Sequence, residues 1–377
     1  MAKRKKPEPR SGDSSPRASR APTVASLRRQ LDAIDSEILA AMNRRAELAK
    51  QIGQLKQSDQ HEVYDPQREA IVLERVVKDN CGPLSDDAVR AVYRELISGS
   101  RAVQAPTRVA YLGPEYTFSH LAAIHRFGQS AELVPVGTIA AVFEEVEQGH
   151  SQYGVVPMEN STDGRVSDTL DCFSRSHVRI CGELPLRIHH CLLSKGKREQ
   201  IGAVYSKPQP LSQCRNWLAK HLPNAELIPV SSTAEAAQLA SLGPRKAAIA
   251  SGQAATNYGL AILASNIEDQ PDNTTRFATI GKDSADRTGN DKTSLMFEIA
   301  HKPGALADTM AIFKRHKLNM TWIESFPIPG HRGRYLFFVE FVGHQSELRA
   351  RRAVAALGKK ALRLEILGSY AQTEPVG

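Results

Sequence analysis

The chain has 377 residues, too many for one ordinary core, so two to three domains are expected. Hydrophobic residues make up 41% and charged residues 24%, which supplies material for globular cores and excludes a wholly disordered chain. The net charge of +8 is concentrated in residues 1–22, where seven Lys/Arg face only Glu8 and Asp13; the remainder is near neutral, which argues against a uniformly basic nucleic-acid binder.

Residues 1–22 contain no apolar run that could serve as a secretory signal. Their Pro, Ser and Lys content reads as a disordered, solvated tail, with weak binding to nucleic acid or an acidic partner as the alternative. Thr23 to Gln57 reads as one long helix with Thr23 as N-cap. Leu31, Ile34, Ile38, Ala41, Leu48, Ile52 and Leu55 form a 4-3 stripe along it. At ~1.5 Å per residue this helix is on the order of 50 Å long, longer than its own short domain can cover, so the stripe is expected to meet a helix of a second chain. Two more helices are predicted, Pro66 to Asp79 and Ser85 to Gln104, split by Cys81-Gly82-Pro83. Residues 23–104 are thus expected to form an all-helical domain.

Ala105-Pro106 marks a boundary. Strand and helix patterns then alternate from Arg108 to Leu193, and a second series runs from Ala203 to Ile280. The expectation for 106–283 is a two-lobed α/β unit of the periplasmic-binding-protein-like kind, its sheets largely parallel, with a cleft between the lobes. A polar linker, Lys282 to Lys292, leads to a βαββαβ pattern over 293–371, the order of a ferredoxin-like module. No apolar stretch approaches a bilayer span. The five cysteines are odd in number and lack a CxxC pair, which points to a reducing, cytoplasmic setting.

Neither GxGxxG nor GxxxxGK[ST] nor HExxH occurs, so nicotinamide, P-loop and zinc-protease chemistry have no support, and no metal or cofactor is expected. One residue of the first helix breaks its stripe: Arg45 sits seven residues after Ile38 and seven before Ile52. A guanidinium among hydrophobes requires a partner. Lys56 lies about 20° round the helix from Arg45, whereas Arg28 lies about 100° away. A buried ion pair or snorkelling would account for this; so would a pocket for an anion with several carboxylates.

Leu27-Arg28, Ile34-Asp35, Arg45-Ala46-Glu47-Leu48-Ala49, Ile52-Gly53 and Lys56, with Asp65-Pro66-Gln67-Arg68-Glu69 and Ser100 with Gln104, resemble the all-helical chorismate mutases. The resemblance implies an intertwined dimer in which Arg28 serves the partner's pocket. It further implies that Arg28 and Arg45 bind carboxylates with help from Ser100, that Lys56 and Gln104 donate to the ether oxygen, and that Asp65, Arg68 and Glu69 hold the ring-hydroxyl side. The chemistry fits these residue types, because the rearrangement needs a held conformer and stabilised charge rather than a covalent catalyst.

Gly113-Pro114-Glu115-Tyr116-Thr117-Phe118-Ser119-His120, Val155-Val156-Pro157-Met158-Glu159-Asn160-Ser161, Tyr205-Ser206-Lys207-Pro208-Gln209-Pro210, Ser231-Ser232-Thr233-Ala234 and Asn273-Thr274-Thr275-Arg276-Phe277 each read alone as a turn or cap. In this order they resemble prephenate dehydratases. The resemblance implies that Thr275 donates the proton, with Glu159 as its rival, that Arg276 anchors a carboxylate, and that Thr117, Ser119, Glu159, Asn160, Ser161, Ser232 and Phe277 line the cleft. Tyr116 stands where the family has glycine, and Lys207 where it has histidine.

Gly304-Ala305-Leu306 and Glu324-Ser325-Phe326-Pro327 resemble the two segments with which ACT domains hold phenylalanine between two chains; Phe326 replaces an arginine. Together the resemblances imply a bifunctional chorismate mutase/prephenate dehydratase, phenylalanine as effector and a homodimer or larger homo-oligomer. The alternatives are arogenate as the second substrate and a non-catalytic ligand-binding protein.

Overall fold

The computed structural model describes residues 23–58, 64–162, 164–328 and 333–376; the basic segment 1–22 lies outside them. The chain divides into two compact units after Leu48. Helix α1 (Val24–Ser58) crosses that boundary. Its stripe is open in the single chain, with Leu31, Ile34, Ile38, Leu48, Ile52 and Leu55 all exposed.

Two helices follow, α2 (Pro66–Lys78) and α3 (Asp86–Gln104). Asp65 caps α2 by accepting from the Arg68 amide at 2.9 Å, and Pro66 occupies the first helical turn, where its missing N–H costs nothing. Ser85 caps α3 in the same way. The end of α1 packs on the end of α3: a Cβ built on Gly53 would stand 2.8 Å from Gln104 Cβ. Arg101 of α3 is buried, donates to Glu69 Oε1 at 2.6 Å and to the Phe127 carbonyl, and lies over the Tyr64 and Phe127 rings. It ties α2 and α3 to the α/β unit that follows.

The first lobe is a sheet in the order β2-β1-β3-β11-β5, formed by β1 (Arg108–Leu112), β2 (Glu132–Val136), β3 (Tyr153–Asn160), β5 (Arg179–Arg187) and β11 (Thr274–Gly281), with β4 (Gly164–Arg165) paired to β3. Helices α4 (Phe118–Phe127), α5 (Ile139–Glu147) and α6 (Ser167–Arg175) cover it. The second lobe is a sheet in the order β10-β6-β9-β7-β8, from β6 (Cys191–Ser194), β7 (Ala203–Ser206), β8 (Glu226–Pro229), β9 (Lys246–Ala250) and β10 (Ala261–Ala264), with α7 (Pro208–Gln213), α8 (Arg215–His221), α9 (Thr233–Ala240) and α10 (Gly252–Tyr258). The sheets are mixed rather than largely parallel. Strand β5 leads out to the second lobe and β11 returns from it, so β11 enters antiparallel between β3 and β5.

Strands β12 (Asp291–Ile299), β13 (Met320–Pro327), β14 (Tyr335–Val342) and β15 (Ala361–Ala371), with helices α11 (Ala305–Arg315) and α12 (Leu348–Gly358), make the expected βαββαβ module, with strand order β13-β14-β12-β15. Its α11, through Phe313, and α12 close one face over Leu295, Phe297 and Phe341. The other face is not free: Met296, Leu336, Phe338, Leu367 and Tyr370 share one core with Val142, Phe173, Ile180 and Ile280 of the first lobe. A Cβ on Gly368 would meet the Ile180 carbonyl, so glycine permits this close approach. The module is therefore fused to the lobe that carries β3 and β11.

Candidate active site

A cleft of about 640 Å³ opens between the lobes. From the first lobe it is lined by Gly113, Thr117, Ser119, Asn160, Thr275 and Phe277, and from the second by His190, Lys207, Gln213 and Ser232, among others. Three helices begin at its wall: α4 with Thr117 as cap, α7 after Lys207, and α9 with Ser232 as cap. The Ser232 hydroxyl accepts from the Glu235 amide at 3.0 Å. The starts of α4 and α9 present unpaired N–H groups and favour negative charge, whereas Pro208 and Pro210 leave the first turn of α7 short of them; Lys207 adds a cation at the rim. The cleft is thus built to receive anionic groups.

Register explains which side chains reach it. In the β11–β3 pairing, Thr275 stands opposite Asn160 and Arg276 opposite Glu159. Residues directly opposite share a face, and successive residues alternate. Thr275, Asn160 and Phe277 therefore face the cleft, whereas Arg276 and Glu159 face away. The expectation that Arg276 anchors a substrate carboxylate is corrected here: its guanidinium points to the other side of the sheet, bonded to Glu340 at 2.6 Å and Glu159 at 3.2 Å. Glu159 is consequently not a cleft acid. Ser161 also lies outside the lining; its hydroxyl accepts from the Thr274 amide at 3.0 Å and steadies the turn before β11.

Within the cleft the polar groups are linked. Asn160 Nδ2 donates to Thr275 Oγ1 at 2.8 Å and to Asn273 Oδ1 at 3.0 Å, and Asn160 Oδ1 accepts from the Thr162 amide at 3.0 Å. That last bond fixes which end of the amide is the donor. Asn273 Nδ2 donates to Gln213 Oε1 at 3.2 Å, which lies 2.9 Å from His190 Nε2. Burial holds the His190 pKa below its usual value, so the ring is neutral and serves as a hydrogen-bond donor to Gln213. Because Thr275 Oγ1 accepts from Asn160, its own hydrogen remains available for donation. His190 and Gln213 carried no motif signal; Asn273 sat in a quoted segment without an assigned role.

Tyr116 adopts φ 65°, the left-handed conformation that favours the glycine it replaces. Its amide donates to His120 Nδ1 at 2.9 Å, its carbonyl accepts from Ser251 Oγ, and its ring packs edge-on against His120 and Tyr258. These contacts hold a conformation that costs roughly 1–2 kcal/mol.

The helical region places its predicted residues as follows. Arg28 and Arg45 lie on the part of α1 before residue 48, Arg28 exposed and Arg45 partly buried. In the second unit, Asp65 and Arg68 make the start of α2. Burial raises the Glu69 pKa while Arg101 opposes that rise. Ser100 Oγ donates to the Leu96 carbonyl at 2.7 Å, Gln104 Nε2 donates to the Ser100 carbonyl at 3.2 Å, and Lys56 is partly buried. In the C-terminal module Gly304, at φ 80°, opens α11, so Ala305 and Leu306 form its first turn. Glu324 and Ser325 lie on the edge strand β13, where Arg165 Nη1 donates to Glu324 Oε2 at 2.6 Å and to the Ser325 carbonyl at 3.1 Å.

Residues 27–105 match the family described as chorismate mutase type II, and residues 109–285 that described as prephenate dehydratase. A bifunctional chorismate mutase/prephenate dehydratase of Aquifex aeolicus is 43% identical over 349 residues, covering 91% of this chain and 96% of that protein. One of Pseudomonas aeruginosa is 41% identical over 354 residues, covering 92% and 97%. A solved prephenate dehydratase from Arthrobacter aurescens, in complex with L-Phe, superposes with a TM-score of 0.66 at 32% identity, covering 71% of this chain and 90% of that one. Spanning nearly the whole length of such relatives at this identity, the chain belongs to the bifunctional chorismate mutase/prephenate dehydratase family.

Proposed function

We propose that this protein rearranges chorismate to prephenate in its helical domain, 23–104, and converts prephenate to phenylpyruvate in the cleft of 106–283. We further propose that 293–371 is an ACT domain through which phenylalanine inhibits, that the enzyme works in the cytoplasm, and that α1 intertwines with a second copy. The open apolar stripe of α1 supports the last point, since a row of exposed leucines and isoleucines gains free energy when covered.

The observation that carries the dehydratase reading is the Asn160–Thr275 bond. In the reaction the bond from the ring to its carboxylate breaks, its electron pair enters the ring, and the ring C–O bond breaks. Thr275 gives its proton to the departing hydroxide, so that carbon dioxide and water leave together. The Asn160 N–H remains on Thr275 Oγ1 and steadies the charge that grows there. The N-termini of α4 and α9, with Lys207, take the two carboxylates in place of Arg276. Thr117, Ser119, Ser232 and Phe277 shape the site. In the mutase, Arg45, Lys56, Asp65, Arg68, Glu69, Ser100 and Gln104 of one chain and Arg28 of its partner hold chorismate in its reactive conformer.

The test is kcat/KM for prephenate against arogenate, with and without phenylalanine. Preference for prephenate and suppression by phenylalanine are expected. Preference for arogenate would replace the second substrate, and turnover of neither would leave the cleft as a binding site.

A further inference from the structure

Arg276 follows the cleft hydroxyl Thr275 directly in β11 yet serves the opposite side of the sheet. There it meets the C-terminal module. Its Nη1 donates to Glu340 Oε1 on β14 at 2.6 Å and lies 3.7 Å from Glu183 Oε2 on β5; its Nη2 donates to Glu159 Oε2 on β3 at 3.2 Å; and its guanidinium lies over the Trp322 ring of β13 at 5.0 Å. Glu340 is buried and is held in turn by Tyr370 Oη at 2.9 Å and Ser294 Oγ at 3.0 Å, both from the module. Burial and the neighbouring carboxylates push the Tyr370 pKa well up, so it stays a donor. Lys292 Nζ occupies Glu183 at 3.0 Å.

We infer that Glu340 is a positioning residue for the dehydratase reaction: through Arg276 it fixes β11, and so sets where Thr275 presents its hydroxyl. This rests on the reading of Thr275 as proton donor. Both strands that carry the Asn160–Thr275 pair are held from the far face, β11 by Glu340 on Arg276 and β3 by Arg276 on Glu159. A shift of the module relative to the lobe therefore reaches the cleft through two ion pairs rather than through the substrate. A hydroxyl must be placed within a few tenths of an ångström to transfer its proton, so slack in β11 lowers turnover more than binding.

The test is Glu340→Gln in the full-length protein. Glu159 and Glu183 still balance Arg276 and Lys292, and the amide oxygen still accepts from Tyr370 and Ser294, so no buried cation is left without a carboxylate. An ion pair becomes a weaker hydrogen bond from the charged guanidinium to a neutral amide. The expected result is an about tenfold fall in kcat on prephenate, with KM and chorismate mutase activity unchanged. In an Arg276→Met background the same substitution should add nothing. Unchanged kcat would overturn the inference. So would a rise in KM at constant kcat, which would mark Arg276 as a direct substrate anchor, or an equal fall in both activities with a lowered unfolding temperature, which would mark a structural role alone. Wild-type turnover of prephenate, measured alongside, reports separately on whether the cleft is a dehydratase.

Discussion

Thr275→Val removes one hydroxyl from the cleft and little else. Its structural cost is small, because Asn160 Nδ2 keeps its bond to Asn273 Oδ1 and Asn160 Oδ1 keeps the Thr162 amide. Loss of one hydrogen bond at a half-buried position costs about 1 kcal/mol, which for a domain of this size shifts the unfolding temperature by roughly 2–4 °C. The catalytic cost is far larger. Proton donation by a placed side chain contributes about 10²–10⁴ in rate, or roughly 3–5 kcal/mol of barrier, and valine has no proton to give. With prephenate as substrate and phenylpyruvate followed over time, kcat should fall at least a hundredfold with KM within about threefold of the wild type. Mutase activity, measured on chorismate, should not change. A kcat within a few-fold of wild type would refute the assignment of Thr275 as donor and with it the meaning given to the Asn160 bond.

Three further outcomes are expected. Lys207→Met should raise the KM for prephenate about three- to tenfold at nearly constant kcat, since an exposed cation contributes about 1 kcal/mol to a carboxylate; steady-state kinetics on the variant and the wild type check this. Gly53→Ala puts a methyl 2.8 Å from Gln104 Cβ, an overpacking worth about 1–3 kcal/mol, and should lower mutase activity about tenfold while dehydratase activity stays. Stability should fall as pH drops from 6.5 toward 4. Burial, with the Arg94 guanidinium, holds His125 from 6.5 down to about 4, and burial also lowers His120 and His190. For His125 the unfolded chain binds its proton first in that window, so its contribution is full above 6.5 and is lost toward pH 4 at up to about 1.4 kcal/mol per pH unit. His125→Gln should flatten the fall in unfolding temperature between pH 6.5 and 4.

Much of this architecture was legible in the chain. A cap is a local signal: Thr23, expected as the N-cap of the first helix, accepts from the Ser26 amide three residues on at 3.2 Å. The βαββαβ order of the C-terminal module followed from period alone. What sequence could not supply was the pairing of distant segments. Asn160 and Thr275 are 115 residues apart, and only the return of β11 from the second lobe brings them together. His190 and Gln213 likewise become cleft residues through the crossing of the chain. The place of Arg276 depends on where its strand begins: β11 starts at Thr274, so Thr275 and Arg276 alternate to opposite faces of the sheet. Tyr116, a residue poorly suited to φ 65°, is held there by His120, Ser251 and Tyr258.

The most direct test of two successive reactions on one chain is to supply purified full-length protein with chorismate alone and follow all products over time. Prephenate should appear first and phenylpyruvate after it, with no added cofactor, and phenylalanine should slow the second step. Accumulation of prephenate without phenylpyruvate would contradict the dehydratase assignment, and unconsumed chorismate would contradict the mutase.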